Sequence, residues 1–74
     1  MDYIQKIKEI REDKDKTQTE IGKIINKSQQ GYAHIENRKA KLTIEDLIKL
    51  CEYYNLSADY ILGFTKEPKK LPKE

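Results

Sequence analysis

The chain has 74 residues, of which 36% are hydrophobic and 38% charged, and its formal net charge is +2. This length allows one small domain with a thin core and excludes a kinase or a two-domain dehydrogenase. One cysteine and one histidine exclude an intrachain disulfide framework and a zinc finger. We therefore expect no metal site, no cofactor and no enzymatic activity.

Apolar residues occur in runs of at most three, whereas a membrane-spanning helix needs about 18 or more. The first twenty residues carry charges throughout, so the sequence predicts no signal peptide and no membrane partner. A free thiol at Cys51 without an export signal is typical of the reducing cytoplasm, which is where we expect the protein.

The charge is unevenly distributed along the chain. Residues 1–41 contain ten Lys or Arg against seven Asp or Glu, whereas residues 42–62 contain one against four. A basic first part beside an acidic second part suggests a face for a polyanion, although ordinary scatter of surface charge is an equal alternative.

Helical spacing of apolar residues predicts a first helix over about residues 2–13. A second helix begins at Gln18, because Thr17 and Glu20 stand at the two positions of a capping box. This helix should end near Asn26, since asparagine tolerates the left-handed conformation that ends helices.

A third helix is predicted from the cap residue Ser28 through Glu36. Only Asn26 and Lys27 separate it from the second helix. So short a connection forces a sharp corner between two short helices, which is the helix-turn-helix arrangement.

Thr43 caps a fourth helix, with Asp46 at the capping-box position. Its wide apolar face consists of Ile44, Leu47, Ile48, Leu50, Cys51 and Tyr54. A fifth helix follows the cap Ser57 and stops at Gly63. We expect residues 1–64 to form the domain and residues 65–74 to form a flexible basic tail.

In this order and spacing, the segments resemble the Cro/repressor-type helix-turn-helix family, also called the XRE or lambda-repressor-like family. The match extends over about residues 4–63. It includes the stretches TQTEIG from Thr17, SQQGYAHIEN from Ser28 and NLSADYILG from Asn55. The resemblance implies an all-α fold, a compact five-helix lambda-repressor-like bundle with the helix-turn-helix at helices 2 and 3.

Three positions depart from the family pattern. Arg38 stands where the family often has glycine, which leaves the path of that loop open. Gly31 stands inside the third helix, at a position where the family usually has Ser or Thr. Either the helix is locally weak there, or close approach to DNA needs this small residue. Gly22 replaces a family alanine, and we expect any side chain larger than methyl there to push the third helix away.

The first turns of the third helix are predicted to contact bases, because this part of a helix-turn-helix enters the major groove. The candidates are Gln29, Gln30, Ala33 and His34. A glutamine amide pairs with adenine N6 and N7, and an alanine methyl contacts a thymine methyl. The alternatives are a solvated helix start for the glutamines, helix filler for Ala33 and plain solvent exposure for His34.

A second group is predicted to contact DNA phosphates and to fix register without reading sequence. It consists of Gln18, Ser28, Asn37, Arg38, Lys39 and Lys41. The resemblance implies the contact by Gln18, whose alternative role is to fill the capping box. For the basic residues the alternative is a solvated loop. The resemblance also implies a structural ion pair between Arg11 and Glu36.

The function that these features favour is a sequence-specific DNA-binding transcriptional regulator, most simply a repressor. Its expected partner is double-stranded DNA, bound by a homodimer on a palindrome. The alternative is an antitoxin-type module that binds a toxin or co-regulator and represses its own operon. Exposed tyrosines, from a late cluster that includes Tyr53, Tyr54 and Tyr60, would favour this alternative.

Overall fold

A computed structural model describes residues 2–66, which form five helices. These are α1 (Tyr3–Asp13), α2 (Gln18–Ile24), α3 (Gln29–Glu36), α4 (Ile44–Tyr54) and α5 (Ala58–Leu62). The all-α class and the five helices predicted from the sequence are confirmed. Of the predicted tail at residues 65–74, only Thr65 and Lys66 lie within the described residues.

Side-chain caps explain why the helices begin where they do. In α2 the Thr17 hydroxyl accepts from the Glu20 amide at 3.0 Å, and Glu20 Oε1 accepts from the Thr17 amide at 2.8 Å. The three later helices are capped in the same way, by hydroxyls that accept from a backbone amide of the first turn; the cap residues are Ser28, Thr43 and Ser57. Each cap satisfies a backbone N–H that the first turn of a helix leaves without a partner.

Left-handed residues end the helices and turn the chain. Asn26 has φ 60° in the corner between α2 and α3, and Gly63 has φ 88° after α5. Asn55 does the same after α4, with φ 56°. The sharp corner predicted between α2 and α3 is therefore made at the asparagine that the sequence indicated.

One apolar core joins the helices, and its members come from all five. The buried apolar residues are Ile4, Ile7, Ile10, Ile21, Ile25, Tyr32, Ile35, Leu47, Leu50, Cys51, Tyr54, Leu56 and Ile61. Helix α3 packs against both α1 and α2, so the rest of the bundle fixes the direction in which its exposed face points. None of the helices in residues 2–66 is long and apolar enough to cross a membrane.

The apolar face predicted for α4 is too wide. The prediction that Ile44 and Ile48 belong to it is wrong. Ile44 is 69% exposed and Ile48 is 50% exposed. The core takes the side of α4 that carries Leu47, Leu50 and Tyr54. The two isoleucines lie only about 40° apart around the helix, beyond the edge of that side, and so face solvent.

Gly22 lies where α2 meets the beginning of α3. A Cβ at this position would stand 2.7 Å from the Lys27 carbonyl oxygen and 3.0 Å from that of Ser28. The expectation that a methyl group would fit here is therefore too generous, because these neighbours are backbone atoms. The absence of a side chain lets α3 lie this close to α2.

Candidate nucleic-acid interface

The first residues of α2 and α3 lie side by side at the surface. Gln29 Nε2 donates a hydrogen bond to Gln18 Oε1 at 2.6 Å. Gln18 Nε2 in turn donates to Glu36 Oε1 at 3.1 Å. A chain of side chains thus runs from an exposed glutamine of α3, through α2, to the end of α3.

Glu36 anchors this chain at its inner end. The residue is only 7% exposed. Arg11 donates to it twice, from Nε to Oε2 at 2.7 Å and from a terminal nitrogen to Oε1 at 3.1 Å. The same guanidinium donates to the Lys16 carbonyl at 2.8 Å, so Arg11 ties α1 to α3 and to the loop before α2.

Burial by itself would raise the pKa of Glu36, but hydrogen bonds from Arg11 and Gln18 hold it below its usual range. The bond to Glu36 raises the pKa of Arg11. The buried Tyr32 hydroxyl lies near the same carboxylate without a hydrogen bond of good geometry. Burial, and then Glu36, raise the pKa of Tyr32. Glu36 is therefore an ionised acceptor under ordinary conditions.

This charge fixes which way the two amides point. An ionised carboxylate only accepts, so Gln18 turns its NH₂ group to Glu36 and its oxygen to Gln29. Gln29 must then turn its own NH₂ group to Gln18. One N–H and the amide oxygen of Gln29 remain free on the exposed surface.

The other predicted base-contact residues differ in exposure. Gln30 is exposed beside Gln29, whereas Ala33 and His34 are half-buried one turn further along α3. The structure therefore brings two glutamines to the outer surface at the beginning of α3. Ser28 is also exposed there, and its hydroxyl accepts from the Gly31 amide at 3.0 Å as the helix cap.

The loop after α3 presents the predicted phosphate contacts. Asn37, Arg38, Lys39 and Lys41 are all exposed. Arg38 adopts φ 66°, the left-handed conformation that glycine would adopt more easily. The Lys39 and Ala40 amides both donate to the His34 carbonyl, at 2.7 and 3.2 Å. The loop path that the sequence left open is thus a tight turn with Arg38 at its bend.

Comparison with known proteins agrees with the five-helix fold. The family model described as "Helix-turn-helix" matches residues 7–61, which includes all of α2, α3 and α4. This chain belongs to the helix-turn-helix family. Membership of its XRE-type branch, implied by the resemblance, is thereby confirmed.

One curated relative of this helix-turn-helix chain is an uncharacterized HTH-type transcriptional regulator, YobD, from Bacillus subtilis (strain 168). The two are 29% identical over 66 residues, which is 89% of this chain and 59% of the relative. The chain therefore spans less than two thirds of that protein. No solved structure matches the chain.

Sequence reasoning about this helix-turn-helix missed two features of the surface. It assigned Gln18 to a phosphate contact or to filling the capping box, whereas the side chain accepts from Gln29 and donates to Glu36. It did not place Asp2, whose carboxylate binds Arg38. An aspartate before a helix is a signal for an N-cap, but no local signal reveals a partner 36 positions away.

Proposed function

We propose that this helix-turn-helix protein is a sequence-specific DNA-binding transcriptional regulator that acts as a repressor. The observation that carries the proposal is the pair of exposed glutamines at the beginning of α3, one of them held in a fixed orientation from beneath. A regulator of this kind occupies an operator and excludes polymerase, which requires no catalytic step. It works in the cytoplasm, where the DNA of a prokaryotic cell lies.

Readout follows from the free atoms of these glutamines. The free N–H and oxygen of Gln29 match adenine N7 and N6 in the major groove. Gln30 offers the same two groups beside it. Ala33 and His34, one turn further along, contact the neighbouring base pair. Each bidentate contact discriminates between bases by about 1–3 kcal/mol.

Phosphate contacts surround this readout surface and fix its register. Gln18 retains one N–H for a phosphate, and Ser28 lies at the opening of α3. Asn37, Arg38, Lys39 and Lys41 follow α3 and supply donors to the backbone.

A dimer on a palindrome follows from size. The described residues span 36 × 24 × 23 Å. Helix-turn-helix dimers read half-sites about 34 Å apart, so one copy reads about half an operator. Two copies related by a two-fold axis complete it.

Binding-site selection from a random duplex pool tests the readout. We expect an enriched palindrome for the wild type and relaxed preference at particular base pairs for Gln29→Ala and Gln30→Ala. Lys39→Ala is the control, because losing one phosphate contact weakens all sequences alike and lowers the salt slope by about 0.9. Unchanged sequence preference in both glutamine variants would contradict the assignment.

A second candidate function is a protein-binding role of the antitoxin type. The exposed pair Ile44 and Ile48, one turn apart on α4, favours it. Of the late aromatic residues, Tyr54 is buried, whereas Tyr53 is 39% exposed and Phe64 is 72% exposed. Ile48→Lys would abolish complex formation with a toxin encoded beside this gene and leave DNA binding intact.

A further inference from the structure

Asp2 makes two contacts with two different parts of the fold. Its Oδ1 accepts from the Gln5 amide at 3.1 Å and so caps α1. Its Oδ2 accepts from a terminal nitrogen of Arg38 at 2.5 Å. The carboxylate thus joins the beginning of α1 to the loop that follows α3.

Arg38, the partner of Asp2, has an unusual backbone conformation. Arg38 forms the bend of its loop at φ 66°, a backbone conformation that is disfavoured for residues other than glycine. The two side chains are about half exposed, 54% for Arg38 and 51% for Asp2. Lys41 lines the same surface groove of about 470 Å³ as this pair. An acidic group therefore sits beside two of the cations assigned above to the DNA backbone.

We propose that Asp2 sets the DNA affinity of the protein by occupying Arg38 in the free state, so that DNA binding exchanges a carboxylate for a phosphate. The inference rests on the proposed function, since it assigns Arg38 to the backbone. An exposed ion pair of this kind is weak and screened by salt, so the exchange is easily made. If the pair breaks, DNA binding loses the free energy of the Asp2–Arg38 contact. If the pair stays, the Asp2 carboxylate repels the phosphate beside it. In both cases the affinity is lower than it would be with an uncharged residue 2.

Asp2→Asn separates the charge from the cap. Asparagine caps helices about as well as aspartate does, so α1 should remain intact while Arg38 loses its anion. We expect DNA binding to tighten about two- to fivefold at about 0.1 M salt, as suits an exposed ion pair, and the salt slope to steepen by up to about 0.9. Fluorescence anisotropy over a salt series measures both, and circular dichroism checks the fold.

Glu9→Gln is the matched control. It removes one negative charge from the same helix, and Glu9 accepts only from the Gln5 side chain at 3.2 Å among the contacts of the described residues. This variant reports the general effect of one lost charge on a polyanion ligand. The effect of Asp2→Asn must exceed it, and the excess must vanish in an Arg38→Ala background.

Two results with Asp2→Asn would overturn the inference. Asp2→Asn could bind as Glu9→Gln does, which would mean that the pair does not compete with phosphate. It could also bind more weakly, which would mean that Asp2 holds Arg38 in place for the phosphate. If Lys39→Ala still weakens binding in either case, only the inference fails. If Lys39→Ala and Arg38→Ala both bind like the wild type, the proposed phosphate surface is itself wrong and the inference falls with it.

Discussion

At the scale of single residues, Glu36 connects the packing of the bundle to the proposed readout surface. Its carboxylate accepts from Arg11 and Gln18, and through Gln18 it sets the direction of the Gln29 amide. Removing its charge should therefore affect two measurable properties. One is the acid limb of folding stability, and the other is sequence preference.

The first effect follows from linkage. The pKa of Glu36 is lowered in the folded protein, so the unfolded chain binds its proton at higher pH. The contribution of Glu36 to folding stability is present at pH values above 4.5, the ordinary pKa of a glutamate. It is lost as the pH falls through the lower pKa of the folded state. Asp2 and Glu20 also have lowered pKa values and add to this limb. In urea unfolding at several pH values, Glu36→Gln should be less stable than wild type at pH 7 and should flatten the slope below about pH 4.5.

A glutamine at position 36 also offers an NH₂ group where the carboxylate only accepts, so the amide of Gln18 can turn over. Aspartate at position 36 keeps the charge but shortens the side chain, which makes Glu36→Asp a control for lost packing. An acid limb equally steep in the wild type and Glu36→Gln would show that Glu36 is not an anchoring charge.

At the scale of elements, the two glycines of the helix-turn-helix should respond to alanine in opposite ways. A Cβ at Gly31 would meet Ser28 Oγ at 3.3 Å and Lys27 Cβ at 3.5 Å, both of them side-chain atoms. Gly31→Ala should therefore stabilise the protein by up to about 0.5–1 kcal/mol, the ordinary penalty of glycine in a helix. Gly22→Ala meets a backbone oxygen at 2.7 Å and should destabilise it by about 1–3 kcal/mol.

Urea midpoints measure both changes, and shifts of the same sign would contradict the prediction. The DNA affinity of Gly31→Ala then decides between the two explanations of this glycine. A more stable protein that binds DNA less well would mean that α3 keeps glycine for close approach to the duplex. Unchanged or tighter binding would mean that the glycine is only a local weakness.

The last four helices were predictable because each begins at a local signal, and the first was predictable from the helical spacing of its apolar residues. Each cap side chain bonds to an amide three residues later, so the signal is readable in the local sequence; the caps are Thr17, Ser28, Thr43 and Ser57. Asn26 likewise indicates the corner between α2 and α3. The exposure of Ile44 and Ile48 was not predictable, because it depends on which side of α4 the other helices cover. The contact of Asp2 with Arg38 depends in the same way on how α1 packs beside the loop after α3.

At the scale of the whole molecule, the chain segments that contain the different helices differ in net charge. The described part of residues 1–41, which includes α1 to α3 and the loop of proposed phosphate contacts, carries the excess of Lys and Arg. Helices α4 and α5 lie in the acidic segment. If the proposed interface binds DNA, this separation of charge would speed the encounter.

The bundle should not need the last residues of the chain for its stability. Every buried apolar residue of the described part lies between Ile4 and Ile61. Deleting residues 66–74 should therefore shift the melting temperature by less than about 2 °C, since the deletion removes none of these buried residues. Ile61→Ala is the contrast, because Ile61 is 1% exposed and its truncation should cost about 2–5 kcal/mol. Calorimetry on the two variants compares them directly, and a fall on deletion as large as that of Ile61→Ala would show that the removed segment packs on the domain.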